Sequence, residues 1–298
     1  RSGCSGTLTA ATLEQWTIRS APAAPALLGD LIKKGGEYLK RHGVDSPRLS
    51  AELLLAHLLG LSRLDLYLQF DKPLTPIEVD ALRLMFQRRS RREPLQYITG
   101  RCAFYDFEVE VSPGVLIPRP ETETLLERAF KDFAELPAES RVLDLCTGSG
   151  ILAIAIKRKY SSFLVTGSDV SAGALVVAER NGCALNADVK WVLSDFFDGL
   201  GDECFDAVIS NPPYVDRAVL ASLAPEVRDY EPRLALDGGA EGLEFYKKLF
   251  PLAVQRMNSA GRIYLEIGQG QRDAVASLGE AAALTVVETV PDLAGIPR

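Results

Sequence analysis

The stretch Arg141-Val142-Leu143-Asp144-Leu145-Cys146-Thr147-Gly148-Ser149-Gly150 decides how this chain folds. Its first five residues have strand character and run without a spacer into a turn holding Gly148 and Gly150, after which residues 151–160 continue as an apolar helix. Small residues let a turn bring its backbone close to a ligand, and the first N–H groups of the following helix have no partner within it. A second strand, 163–168, ends at Asp169, whose carboxylate suits a pair of ribose hydroxyls. Further out the alternation persists: helix 172–181, strands 189–193 and 205–210, helix 243–257, strand 262–267, helix 273–283 and a last apolar run, 284–290. Such alternation predicts an α/β fold for residues 119–298, a doubly wound, mostly parallel, Rossmann-like sheet with helices on both faces.

Upstream the period changes. Between Leu27 and Arg92 apolar residues recur at helical spacing, with Leu53, Leu54, His57, Leu58 and Leu61 as one stripe and Val79, Leu82 and Phe86 as another. Ser46-Pro47 reads as an N-cap with a first-turn proline, and Thr75-Pro76-Ile77-Glu78 as a capping box. Residues 27–93 are therefore expected to form a small helical domain. In 94–118 the period is two, with Phe107, Val109 and Val111 on one face and Glu108 and Glu110 on the other. A Pro113-Gly114 turn and the run Val115-Leu116-Ile117 follow, which predicts a β-hairpin connector. Residue 120 reopens a helix, with Leu125, Leu126, Ala129 and Phe133 inward and acids in the first turn, where the helix dipole favours them. Residues 1–26, acid-poor and ending in Ala21-Pro22-Ala23-Ala24-Pro25, read as a tail or processed leader.

Composition narrows the function. A length of 298 residues with 47% hydrophobic and 24% charged residues is ordinary for a soluble globular chain of about two domains. The net charge of −7 opposes broad nucleic-acid binding, so no stable nucleic-acid partner is expected. Arg83, Arg88, Arg89, Arg91 and Arg92 form one local basic cluster, either a solvated helix face or a docking face. Cys4, Cys102, Cys146, Cys183 and Cys204 are odd in number and scattered, which argues for a reducing cytoplasm rather than a disulfide framework. His42 and His57 lack acidic or thiol partners at ligand spacing, so no metal is expected, and no apolar run is long enough to suggest a membrane span.

Gly148-x-Gly150-x-x-Ala153 also satisfies the loose dinucleotide fingerprint, which keeps a nicotinamide oxidoreductase open. Asp144 at the strand end, and Ser194-Asp195-Phe196 after the third strand, suited to an adenine edge and face, tilt against it. The strand 205–210 runs straight into Asn211-Pro212-Pro213-Tyr214, at the end of the sheet where ligands bind in such folds. An amide nitrogen is a poor nucleophile because its lone pair is delocalised. Asn211 can accept one N–H of a planar acceptor and the Pro212 carbonyl the other, while Pro213 stiffens the loop and Tyr214 can lie on the planar group. That geometry aims a nitrogen lone pair at an activated methyl group.

At these residues the chain resembles the amino-methyltransferases, and three further stretches resemble their HemK/PrmC branch, the protein-glutamine N5 methyltransferases. They are Glu93-Pro94-Leu95-Gln96-Tyr97-Ile98-x-Gly100, Val115-Leu116-Ile117-Pro118-Arg119-Pro120-Glu121-Thr122-Glu123, and Tyr230-Glu231-Pro232-x-x-Ala235-Leu236 with Gly238-Gly239. The resemblance runs from about Leu27 to the C-terminus. It implies a class I methyltransferase sheet, S-adenosyl-L-methionine as methyl donor, and as acceptor the glutamine in the Gly-Gly-Gln loop of class I peptide-chain release factors, which the helical domain helps engage. It implies cofactor contacts from Cys146, Thr147, Gly148, Ser149, Gly150, Asp169, Phe196 and Asn211, and catalytic contacts from Asn211, Pro212, Pro213 and Tyr214, in a cytoplasmic monomer. Rival readings are glutamine methylation of a ribosomal protein, N6-adenine methylation of nucleic acid, and a catalytically inactive adaptor. Two departures stand out. Cys146 occupies a position where most relatives carry glycine, and is expected to crowd the cofactor or to keep negative φ. Relatives also continue past a segment like 293–298 into a final antiparallel strand, so either the chain is truncated here or the sheet lacks a strand and keeps an open edge.

Overall fold

Helix caps and apolar periodicity place the first elements. A computed structural model of the chain describes residues 26–292 and 294–297; the proposed tail up to Pro25, and Leu293 and Arg298 of the terminal segment, lie outside the described residues. One unit extends through Arg91 and a second begins at Arg92. The first holds α1 (Leu28–Arg41), α2 (Pro47–Leu59), α3 (Arg63–Leu68) and α4 (Pro76–Ser90). The capping box of α4 forms as the sequence predicts, Thr75 Oγ1 accepting from Glu78 N and the Glu78 carboxylate from Thr75 N. Ser46 does not cap α2: it sits in the left-handed region at φ 48, whereas a capping side chain needs extended backbone to reach the first N–H groups. The buried side of α2 is also rotated from the expected stripe. Ala51, Leu54 and Leu55 are inside and His57 is exposed, because Glu52 faces inward on the same side and accepts from Arg48, Arg63 and Tyr67. Burial pushes the Glu52 carboxyl up, but these three donors outweigh it and hold the group below the usual carboxylate range.

The second unit contains α5 (Leu95–Thr99), β1 (Arg101–Phe104), β2 (Phe107–Glu110), α6 (Pro120–Phe133), β3 (Arg141–Leu145), α7 (Ile151–Lys159), β4 (Leu164–Asp169), α8 (Ala172–Ala184), β5 (Lys190–Leu193), β6 (Phe205–Ser210), α9 (Pro225–Arg228), α10 (Glu244–Arg256), β7 (Met257–Leu265) and α11 (Arg272–Ala281). Five strands form an all-parallel sheet in the order β5-β4-β3-β6-β7. The central strands are buried on both faces, which explains why apolar residues follow one another in them without a period-two alternation. Val142, Ala207 and Ile209 join one core with α6, α7 and the hairpin, while Leu143, Leu145 and Val208 join the other with α10 and α11. Chain order reverses between β3 and β6, and the crevice beyond the carboxyl ends of such strands is where ligands bind.

Two expected strands are absent. The hairpin forms between β1 and β2, and Val115–Ile117 is a buried loop instead of its second strand, since the backbone N–H of Ile117 is taken by the Glu231 carboxylate. Residues 284–290 carry no ladder and lie across a groove of about 520 Å³ from the outer edge of β7, with which no strand pairs among the described residues. Val115 and Ile117 are apolar because they are buried, and burial does not require pairing, whereas Val286 and Val287 of the later run stand exposed. The hairpin is fastened by Asn181 of α8. Its Oδ1 accepts from Glu110 N at 2.8 Å, and its Nδ2 donates to Glu110 O at 3.0 Å and to Ser149 O at 2.9 Å. The arginine cluster is not an open basic face: Arg83 pairs with Asp80, Arg89 is buried and Arg92 makes a two-pronged ion pair with Glu226. Among the described residues no helix is long and apolar enough to cross a membrane.

Candidate active site

The turn after β3 is shaped by its backbone. Cys146 takes φ +62, so the expected negative φ is not observed; the side chain is carried in the conformation that glycine tolerates best. Thr147 N donates to Ser168 O at 2.9 Å, which ties the turn to β4. Gly148 has φ +55, and a Cβ there would meet nothing within 4 Å, so its open side faces the cavity. Gly150 has φ +86, but a Cβ there would lie 2.9 Å from Trp191 and 3.1 Å from Ala178. Gly150 is thus a packing residue at the start of α7 and does not line the cavity, although the fingerprint counts it with Gly148.

Two carboxylates hold this turn. Asp144 is fully buried, with Oδ2 accepting from Thr147 Oγ1 at 2.6 Å and from Ala153 N at 3.0 Å, while its Oδ1 has no partner. Burial, with a smaller push from the Asp169 charge, raises its pKa to about 7. Asp169 lies at the end of β4, accepting from Gly148 N at 3.0 Å and from Ser171 N at 2.8 Å, and burial raises its pKa too. Each Asp169 oxygen keeps lone-pair capacity for a ligand hydroxyl.

The cavity measures about 380 Å³, within the usual size of small-molecule pockets. Cys146, Thr147, Gly148, Ser149, Asp169, Phe196 and Asn211 all line it, together with Val170, Ser194 and Asp195. Phe196 stacks on Phe245, which also lines the cavity, with ring centroids 4.9 Å apart, so its ring is held in place by that contact. These residues fit a nucleoside cofactor. The carboxylate of Asp169 suits a diol, Val170 and Phe196 supply apolar surface for a flat base, and the side-chain-free edge at Gly148 allows close approach.

The second loop follows β6. Ser210 Oγ donates to Leu145 O at 2.5 Å, which sets the end of β6 beside the end of β3. Asn211 and Pro213 line the cavity, whereas Pro212 is buried and neither it nor Tyr214 does so. Asn211 Nδ2 donates to Thr122 Oγ1 at 2.9 Å, and Asn211 Oδ1, sheltered from bulk water, has no partner. Thr122 Oγ1 donates to Glu266 Oε2 at 2.6 Å, and the Tyr214 hydroxyl donates to Glu266 Oε1 at 2.9 Å. Gln271 Nε2 holds the Tyr214 carbonyl at 2.9 Å. Across the cavity Arg119 pairs with buried Glu231 at 2.5 Å, which fastens the 115–119 loop to the 225–239 segment. Sequence reasoning missed Glu266, Gln271 and the roles of Thr122, Arg119 and Glu231. Three of these stood inside quoted motifs, while Glu266 and Gln271 carried no local signal. Among the described residues no cluster of three His, Cys, Asp or Glu side chains is arranged to hold a metal ion.

Comparison with known proteins identifies the family. The family model of the PrmC N-terminal domain matches residues 30–100, and that of the methyltransferase small domain matches residues 121–226. The chain is 42% identical to a release factor glutamine methyltransferase of Geobacter sulfurreducens over 285 residues, 96% of each chain. It is 38% identical to one from Thermodesulfovibrio yellowstonii, covering 83% of this chain and 89% of that one, and 39% identical to one from Caulobacter vibrioides, covering 86% and 89%. With the glycine turn and the Asn-Pro-Pro-Tyr loop side by side in the structure, this chain belongs to the release factor glutamine methyltransferases, a family of S-adenosyl-L-methionine-dependent enzymes.

Proposed function

We propose that this chain methylates the side-chain amide nitrogen of the glutamine in the Gly-Gly-Gln loop of class I peptide-chain release factors. The observation that carries the reading is Asn211 Oδ1, an unpartnered, sheltered acceptor on a residue that lines the cofactor cavity. A buried acceptor without a partner is costly, about 1–3 kcal/mol, unless a ligand satisfies it. S-adenosyl-L-methionine supplies an electrophilic methyl group on a sulfonium sulfur. Cys146, Thr147, Gly148, Ser149, Asp169 and Phe196 hold that cofactor, with Gly150 setting the turn behind them. Asn211 Oδ1 accepts one N–H of the glutamine and the Pro212 carbonyl the other, which turns the nitrogen lone pair toward the methyl group. Pro213 stiffens the loop and Tyr214 braces it. No strong base is needed: a methylated, protonated amide nitrogen gives up its proton readily to water.

The helical domain, residues 27–93, engages the factor, and its exposed Leu64, Leu68, Ile77 and Leu84 support a protein-facing role. The hairpin, 94–118, connects it to the methyltransferase domain, 119–298. The enzyme acts as a cytoplasmic monomer on protein acceptors, in keeping with its net charge of −7. The test is transfer of label from S-adenosyl-L-methionine to a class I release factor and to its loop Gln→Ala variant, with ribosomal protein and DNA as competing acceptors. Label confined to the intact release factor is expected; equal labelling of both forms, or stronger labelling of another acceptor, rejects the reading.

A further inference from the structure

We propose that Glu266 and Thr122 are positioning residues that decide which end of the Asn211 amide meets the substrate. The inference rests on the glutamine reading above and concerns how the same loop achieves its polarity. Glu266 follows β7 and is 1% exposed. A carboxylate offers only lone pairs, so every hydrogen bond it makes must be donated to it. Two hydroxyls end there, Thr122 Oγ1 at 2.6 Å and Tyr214 OH at 2.9 Å.

The threonine hydroxyl has a single hydrogen, and Glu266 takes it. Toward Asn211 the same oxygen can only accept, so Asn211 must present its NH2 end, as it does at 2.9 Å. The reversed amide would set Oδ1 against an oxygen with no hydrogen between them, leaving two buried acceptors unsatisfied. The direction of donation therefore runs from Asn211 to Thr122 to Glu266, and the carbonyl end of Asn211 is left for an N–H of the acceptor. Without this relay the two ends of the amide are nearly equal in size and either could face the cavity. The other oxygen of Glu266 holds the phenol of Tyr214, so one buried carboxylate sets both the first and the last residue of the loop.

A Glu266→Gln enzyme would offer Thr122 an NH2 group, let the hydroxyl turn round and allow Asn211 to flip. Its NH2 would then oppose the N–H of the substrate. Thr122→Val keeps the shape and removes the relay, and Thr122→Ser keeps the hydroxyl.

The test uses the full chain, 15N-labelled, with two readouts: hydrogen exchange of the Asn211 side-chain NH2, assigned by its loss in Asn211→Ala, and methyl-transfer kinetics on a release factor. For Thr122→Val we expect NH2 exchange at least about tenfold faster, kcat about 100-fold lower, and KM and cofactor affinity within about threefold of wild type. Glu266→Gln should follow it, and Thr122→Ser should restore both readouts. Unchanged NH2 exchange in Thr122→Val overturns the proposal, as does a loss that Thr122→Ser fails to repair. If the unmodified chain labels no release factor, the glutamine reading falls, while the exchange measurement, which needs no substrate, still decides the relay.

Discussion

The turn after β3 and the loop after β6 stand side by side, yet they are built in opposite ways. The first owes its shape to backbone: positive φ at Cys146, Gly148 and Gly150, and peptide N–H groups donated to Ser168 and Asp169. The second owes its shape to side chains sent from elsewhere, Thr122 from α6, Glu266 from beyond β7 and Gln271 from the start of α11. A turn shaped by backbone conformation is altered mainly by residues inside it and by the few side chains, Asp144, Asp169 and Asn181, bonded to it. A site braced by side chains can be disarmed from a distance, with its own residues intact. Under the proposed function the difference also divides the labour, the first region binding and the second orienting.

The largest expected effect tests that division. Asn211→Ala should lower kcat by about 100-fold or more, in line with loss of one preorganised polar contact worth about 3 kcal/mol, while cofactor affinity measured by calorimetry stays within about threefold. If affinity falls as steeply as turnover, the two loops are one unit and the contrast fails. Next in size is a pH effect confined to the backbone-shaped turn. The folded protein holds the proton of Asp144 up to about pH 7, against about 3.9 in an unfolded chain. A raised acid pKa means that the folded state binds the proton more tightly, so this group's contribution to stability is greatest below about pH 4. It declines as pH climbs from about 4 to about 7 and is level above. Denaturant titrations across that window should show the decline in the unmodified chain and a flatter profile in Asp144→Asn; parallel profiles would remove Asp144 from this role. The smallest effect sharpens the backbone side: Cys146→Gly should raise stability by about 0.5–1 kcal/mol, shifting Tm by about 2 °C, because positive φ no longer opposes a side chain. A lower Tm would show that the thiol's packing outweighs the strain.

The same contrast explains what could be read from the amino acids alone. The central strands announce themselves because burial on both faces leaves no polar alternation, and Gly148, Asp169 and Asn211–Tyr214 sit beside strand ends where their role is local. The braces are not local: Thr122 and Glu266 lie 144 positions apart, and Tyr214 and Glu266 lie 52 apart. No spacing rule joins them, so Glu266 passes as one more residue of a strand end. Apolar runs mislead in the other direction. Val115 and Ile117 are buried in a loop and Val286 and Val287 stand exposed, yet neither run pairs, and period and composition carry no record of whether a ladder forms. Gly150 shows a third limit, since a fingerprint glycine can serve a neighbouring indole instead of a ligand.

Asn181 has a consequence of another kind. Its carboxamide offers Glu110 the same donor and acceptor pair that a peptide group would, so a single side chain imitates a neighbouring strand along the outer rim of the hairpin. A two-stranded ribbon with a bare rim invites a foreign segment to zip onto it. Here that rim is stoppered at Glu110, and the stopper's third hydrogen bond ends on Ser149, so the guarded rim and the wall of the cavity share the same amide.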